Sequence, residues 1–163
     1  MHILVKKNYL SYGDYKVKCA VGKRGIKRKR KEGDLITPKG LFSIKSVFCR
    51  KDRIKNLKSK FKITPISKKM GWCNDSKSSK YNKLIKYPFK YGSEKLYRPD
   101  RVYDIILVLN YNMSPVIKNK GSAIFIHITK KKFKPTEGCV AIQRKHLRNI
   151  LKRINRKTKV KIN

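Results

Sequence analysis

Two side chains in this 163-residue sequence have the types and spacing for covalent chemistry. His127 lies in the apolar run Ile124-Phe125-Ile126-His127-Ile128, and Cys139 follows twelve residues later in Pro135-Thr136-Glu137-Gly138-Cys139-Val140. The thiolate is the attacking species in thiol catalysis, so a cysteine with a pKa near ~8.5 needs a base beside it. A strand ending in histidine and a tight Gly-Cys turn can bring imidazole and thiol together. Gly138 permits a turn whose backbone N–H groups point at a developing oxyanion, a stabilisation of roughly 3–4 kcal/mol per donor. Each residue alone has a plainer reading, as a satisfied core histidine and a small buried cysteine. Spacing leaves both readings open.

The elements that must position this pair are mostly strands. Residues 3–6 and 15–21 carry β-branched and aromatic side chains near period two, bounded by Gly13-Asp14 and Gly22. A shaped loop follows, with Glu32-Gly33-Asp34 and Thr37-Pro38-Lys39-Gly40, before a strand over 41–47. The continuous apolar runs at 102–110 and 122–129 predict buried strands. Leu147, Ile150, Leu151 and Ile154 recur at i, i+3, i+4 and i+7, which predicts a helix over 143–155, and a last strand covers 158–162. Residues 50–100 are broken by Pro65, Gly71, Pro88, Gly92 and Pro99 but are rich in aromatics. They predict a long irregular insertion, packed by its own aromatics and a candidate lid. The expected fold is mainly β, with one late helix.

Composition bounds the function. The length suits one domain, 1–163, and 39% hydrophobic residues exclude a disordered basic tail. With 45 Lys and Arg against nine acids, the net charge is +36, which invites a nucleic-acid or polyanion partner. Yet the bases are scattered through every segment. Seven of the nine residues from Lys23 to Lys31 are basic, and no aromatics interleave them as a stacking platform would require. Nucleic acid is therefore the less favoured partner. The longest apolar run is Ile105-Ile106-Leu107-Val108-Leu109, far short of a membrane span. The N-terminus has no signal-peptide pattern, so the sequence by itself predicts a cytoplasmic protein. Cys19, Cys49, Cys73 and Cys139 form no Cys-x-x-Cys pair, so no metal site is expected and the first three read as inert buried thiols.

The motifs together resemble the L,D-transpeptidase catalytic domain family (YkuD-like), in a compact single-domain form. The resemblance rests on His127, Thr136-Glu137-Gly138-Cys139 and the upstream Thr37-Pro38-Lys39-Gly40-Leu41-Phe42. Glu32-Gly33-Asp34, Gly71-Trp72-Cys73-Asn74-Asp75, Tyr81-Asn82 and Tyr103-Asp104 extend it in order across essentially the whole chain. It implies a β-sandwich or barrel whose cysteine attacks the amide before the terminal D-Ala of a peptidoglycan tetrapeptide stem. A thioester acyl-enzyme then passes to an amine, or to water in the carboxypeptidase variant of the same reaction. By that resemblance Cys139 is the nucleophile and His127 the base and later acid. Gly138 and Cys139 amides form the oxyanion hole, with Thr136 beside it. No cofactor is implied, the protein acts as a monomer, and carbapenems acylate the same cysteine. The chemistry belongs in the periplasm or cell wall.

Two positions depart from the family pattern: Glu137 stands where many members have His, and Ala141 where many have Arg. Losing a rigid multi-donor cation bears on donor or acceptor recognition more than on the nucleophile. Glu137 is read either as support for the His127 imidazolium or acceptor ammonium, or as a solvated loop carboxylate. Trp72, Asn74, Asp75 and Tyr81 are candidates for a wall or lid over the cleft, with aromatic packing as the competing reading. Asp75 and Asp104 read as structural partners of bases. The positive field is expected to favour the thiolate and to attract carboxylate-bearing stems.

Overall fold

The computed structural model describes residues 1–163. The chain runs β1 (Ile3–Lys6), β2 (Tyr9–Tyr12), β3 (Tyr15–Lys18), β4 (Ile26–Lys27), β5 (Thr37–Pro38) and β6 (Gly40–Cys49). It continues through β7 (Ile63–Pro65), β8 (Met70–Cys73), β9 (Leu84–Lys86), β10 (Ser93–Lys95), β11 (Ile105–Leu109), β12 (Phe125–Ile128) and β13 (Val140–Ile142). Helix α1 (Arg144–Arg153) and β14 (Lys159–Ile162) complete it.

The main sheet has the order β13-β12-β11-β6-β14-β1-β2-β3, with β7 added alongside β6. It curls until its ends nearly meet. Just past β3, Ala20 exchanges two 2.8 Å backbone hydrogen bonds with Ala141, and Gly22 bridges Thr136. The result is mainly β, a nearly closed barrel-like sheet with a single late helix. That seam positions the site: the turn carrying Cys139 is tied to residues 20–23 at both of its ends.

Strand β11 is buried along its whole length, and its alternate side chains enter two separate cores. Ile105, Leu107 and Leu109 join the larger core, where Leu147, Ile150 and Leu151 of α1 also pack. Ile106 and Val108 join a smaller core with Phe48, Trp72, Leu96, Tyr103 and Phe125. Burial on both faces explains the unbroken apolar run at 105–109. Lys152 and Arg153 sit at the negative end of the α1 dipole.

Three details differ from the sequence reading. Strand β2 is not signalled by its short Tyr-Leu-Ser-Tyr pattern, and β3 stops at Lys18 with only an isolated bridge at Ala20. The stretch 50–100 is more regular than its breakers suggest. It holds a three-stranded sheet, β10-β8-β9, and its two ends are clasped together. Arg50 donates to the Arg98 carbonyl, while Arg53 donates to the carbonyls of Pro99 and Asp100 and pairs with Asp104 at 3.0 Å. Buried Trp72, Tyr81 and Leu96 then supply the apolar mass that holds the insertion on the barrel.

Candidate active site

Period two on β12 decides where the histidine points. Ile126 and Ile128 enter the larger core, while Phe125 enters the smaller one, so His127 faces the insertion. Tyr103 meets its ring edge-on, with centroids 5.3 Å apart. His127 Nδ1 lies 2.9 Å from the Ile128 carbonyl. A carbonyl can only accept, so Nδ1 carries the hydrogen and Nε2 keeps its lone pair, with no hydrogen bond of its own. Parallel pairing of β12 with β13 sets His127 opposite Ala141, two residues past Cys139.

Cys139 is held by both halves of the sequence motif. Thr136 Oγ1 donates to the Cys139 carbonyl at 2.6 Å, and Thr37 Oγ1 reaches the same oxygen at 3.5 Å. Thr37 Oγ1 also accepts the Gly22 N–H at 2.7 Å, so the Thr-Pro loop, the barrel seam and the Gly-Cys turn form one unit. Gly138 has φ +145, and a Cβ there would lie 2.9 Å from the Ile36 carbonyl. Only glycine fits that contact and that backbone. The Gly138 N–H, expected in the oxyanion hole, is taken instead by Thr136 Oγ1 at 3.1 Å. The Cys139 N–H, the other amide expected there, has no acceptor in the protein.

The thiol donates to the Ala123 carbonyl at 3.1 Å and accepts the Phe125 N–H at 3.4 Å; it makes no hydrogen bond with His127. Burial, reinforced by the nearby Glu94 carboxylate, pushes the Cys139 thiol up to about 12. Burial pushes the His127 imidazole down to about 4. The resting pair is therefore neutral thiol and neutral imidazole. The expected thiolate-favouring field reaches the sulfur through Lys29 but is outweighed by desolvation and by the Glu94 and Glu137 carboxylates.

Both residues line one cavity of about 440 Å³. Of the expected residues, Thr136, Glu137, Gly138 and Asn74 are on its wall, whereas Trp72, Asp75 and Tyr81 are not. Trp72 is buried behind the wall, edge-on to Phe125, and donates to Asn82 Oδ1 at 3.0 Å. That same oxygen accepts the Ala123 N–H at 3.1 Å, so Trp72 and Asn82 brace the segment whose carbonyl holds the thiol. Tyr81 donates to Glu32 at 2.5 Å and accepts the Gly121 N–H at 2.9 Å. Asp75 accepts the N–H groups of Lys77 and Gly92 and so shapes a loop.

Sequence reasoning missed Glu94 and Arg98 and gave Tyr103 no place in the site, yet all three are on the wall. Antiparallel pairing sets Glu94 opposite Trp72 on the same face of the small sheet, which turns its carboxylate toward the barrel and the Tyr103 hydroxyl. Arg98 enters from the insertion, held by Asp100 through two bonds of 2.8 and 2.9 Å. A guanidinium therefore does reach this cavity although position 141 is alanine. The only sequence signal is rarity, since Glu94 is one of three glutamates in the chain. Asp34 is the other organiser. Burial opposes its ionisation, yet Lys29 and the N–H groups of Arg30, Lys31 and Ile36 outweigh that and hold its carboxyl at about 2.

No three His, Cys, Asp or Glu side chains are grouped closely enough to hold a metal ion, and no helix is long and apolar enough to cross a membrane. No curated protein matches the chain. The family model for the L,D-transpeptidase catalytic domain, YkuD, matches residues 4–162. With that match spanning nearly every residue, and with the barrel seam joining its Thr-Pro and Gly-Cys motifs, the chain belongs to the L,D-transpeptidase catalytic domain family.

Proposed function

We propose that the protein is a cysteine acyltransferase that acts on peptidoglycan tetrapeptide stems, with Cys139 as nucleophile and His127 as base. The observation that carries this reading is the shared cavity, in which an unpartnered Nε2, a thiol and an unpartnered Cys139 N–H occur together. A thiol held near 12 is ionised in about one molecule in 10⁵ at pH 7, so the sulfur must lose its proton as it attacks. In the step proposed, Sγ swings from the Ala123 carbonyl, passes its proton to Nε2 and bonds to the stem carbonyl. The Cys139 N–H faces the oxyanion. The Nδ1–H bond to Ile128 steadies the imidazolium, which protonates the leaving D-Ala amine as the thioester forms. An acceptor amine completes the transfer, cross-linking or remodelling the cell wall on the outer side of the membrane. The insertion serves as the lid and wall of this cleft.

The test is incubation with a disaccharide tetrapeptide, followed by chromatography for D-Ala and for a cross-linked dimer. Both products are expected from the native chain and neither from Cys139→Ala. D-Ala release without dimer would assign the hydrolytic variant. A carbapenem should add one covalent adduct to the native chain and none to Cys139→Ala. Failure of both reactions would contradict the proposed chemistry.

A further inference from the structure

The densest basic stretch of the chain takes no part in the chemistry above. Seven of the nine residues from Lys23 to Lys31 are Lys or Arg, and they belong to the loop between Gly22 and Thr37 that contains β4. A charge run of this kind ordinarily spreads its side chains into solvent. Here five of them, Arg24, Lys27, Arg28, Arg30 and Lys31, surround one concavity of about 410 Å³. None of the five pairs with a carboxylate, whereas Arg50, Arg53 and Arg98 all do. The single acid on this wall, Asp34, is already engaged. It is buried against Lys29 at 2.5 Å and accepts the N–H groups of Arg30, Lys31 and Ile36.

The backbone beneath these side chains is fixed. Strand β4 pairs in parallel with β5, and the Arg24 N–H donates to the Leu35 carbonyl. The Thr37 N–H donates to Gly25 and the Lys39 N–H to Lys27. Asp34 gathers the far end of the loop through its three N–H bonds. Five like charges around one concavity repel one another. The β4–β5 ladder and buried Asp34 hold them together against that repulsion, and a bound anion relieves it.

The lining indicates which anion. No aromatic ring and only one apolar residue, Ile36, face the concavity, so a nucleic-acid base has nothing to stack on. Three of the five cations are Arg, in a chain where Lys outnumbers Arg 34 to 11. A guanidinium presents a planar fork that binds phosphate oxygens in pairs, whereas an ammonium acts as a point charge. A phosphate group carries about −1.5 to −2 charges near pH 7 and three acceptor oxygens, well beyond the single charge of a carboxylate. Two linked phosphates therefore come closest to balancing five cations in so small a space. A duplex needs an extended basic stripe and a bilayer a broad face, and a concavity enclosed by one loop offers neither.

We infer that Arg24, Lys27, Arg28, Arg30 and Lys31 form a binding site for a diphosphate group, on the reverse side of the loop that walls the Cys139 cavity. Lys29, Glu32 and Leu35 of that loop line the cavity, while Asp34 and Ile36 line the basic concavity. A molecule anchored there by its diphosphate is held beside the cleft, with one loop between them. Binding is by charge and hydrogen bonding, with no covalent step, and does not rest on the acyl-transfer reading. The site also gives the +36 charge a local use, since bases scattered elsewhere along the chain converge here.

The test is isothermal titration calorimetry of the full chain at about 0.15 M salt, where attraction beyond ~8 Å is screened. Inorganic diphosphate should bind saturably at one site, and orthophosphate roughly tenfold more weakly. Arg28→Gln combined with Arg30→Gln should weaken diphosphate binding by roughly tenfold or more. Both side chains are exposed and pair with no carboxylate, so this variant keeps the fold. Lys58→Gln combined with Lys60→Gln removes the same charge from an exposed segment outside the site, and should leave affinity within about twofold. Absence of saturable binding, binding at many sites, or equal loss in the two double variants would reduce the effect to net charge and overturn the site. Single-stranded oligothymidylate that binds more tightly than diphosphate, and more so with length, would mark a nucleic-acid track and also overturn it. Phosphatidylcholine vesicles containing farnesyl diphosphate distinguish the source of the group. Co-sedimentation that is lost in the arginine double variant assigns a lipid-borne diphosphate, and binding of free diphosphate without co-sedimentation assigns a soluble one.

Discussion

Ile126 and His127 are neighbours on β12, yet they enter two interiors built on different rules. Ile126 joins a core between the barrel wall and α1 in which every member is apolar. His127 joins a face covered by the insertion, where aromatic rings give way to a cavity lined by carboxylates, amides and a thiol. The first interior needs only period-two and period-3.6 patterning to form. The second needs long-range partners: Thr37 for the Cys139 carbonyl and Asn82 for Ala123. Stability is concentrated on one side of the sheet and chemistry on the other.

Substitutions separate the two sides. His127→Ala should lower acyl transfer by roughly 10³-fold, within the range of a lost general base, at temperatures where the variant is still folded. Steady-state kinetics beside a melting curve would check it. Leu107→Ala, at a fully buried site in the larger core, should cost about 2–5 kcal/mol of stability in denaturant titrations, with kcat retained below the new melting temperature.

The buried imidazole also predicts acid lability. Its folded pKa of about 4 lies below the ordinary 6.5, so the unfolded chain binds the proton more readily. Stability contributed by neutral His127 is present above pH 6.5 and is lost as pH falls toward 4, in all roughly 3 kcal/mol. His127→Gln should flatten that part of the pH–stability curve. Asn82→Ala should cost about 1–3 kcal/mol for each buried donor it unpairs, Trp72 Nε1 and the Ala123 N–H, and it also removes the Asn82 Nδ2 bonds to the Tyr111 and Asn112 carbonyls. Unlike Leu107→Ala, it should also slow acylation, because the carbonyl that holds the thiol moves.

The difference between the two sides explains what could be read in advance. Ile105 to Leu109 and the spacing of Leu147, Ile150 and Leu151 announce a buried strand and an amphipathic helix, because local periodicity encodes a core. His127 and Cys139 are legible as a pair because the chemistry restricts residue types. Glu94 and Arg98 are not, since they sit in an insertion whose three-residue strands are too short for a periodic signal. Their roles depend on Trp72 pairing and on the Arg50 and Arg53 clasp. The hydrogen bond from Gly138 N–H to Thr136 Oγ1 is likewise invisible, because Ser/Thr-x-Gly spacing fits a turn as well as an oxyanion hole. Trp72 shows the converse: an aromatic near a cleft motif in sequence is a brace behind the cleft in space.

Whether Cys139 carries the acyl group can be read from intact-protein mass spectrometry of the chain mixed with a tetrapeptide stem and quenched in acid. The expected result is a mass increase equal to the stem less D-Ala. The increase should map to the peptide containing Cys139, discharge on adding an amine acceptor, and be absent in Cys139→Ala. An adduct that persists in Cys139→Ala, or D-Ala release with no adduct on Cys139 at any time point, would contradict acyl transfer through this thiol.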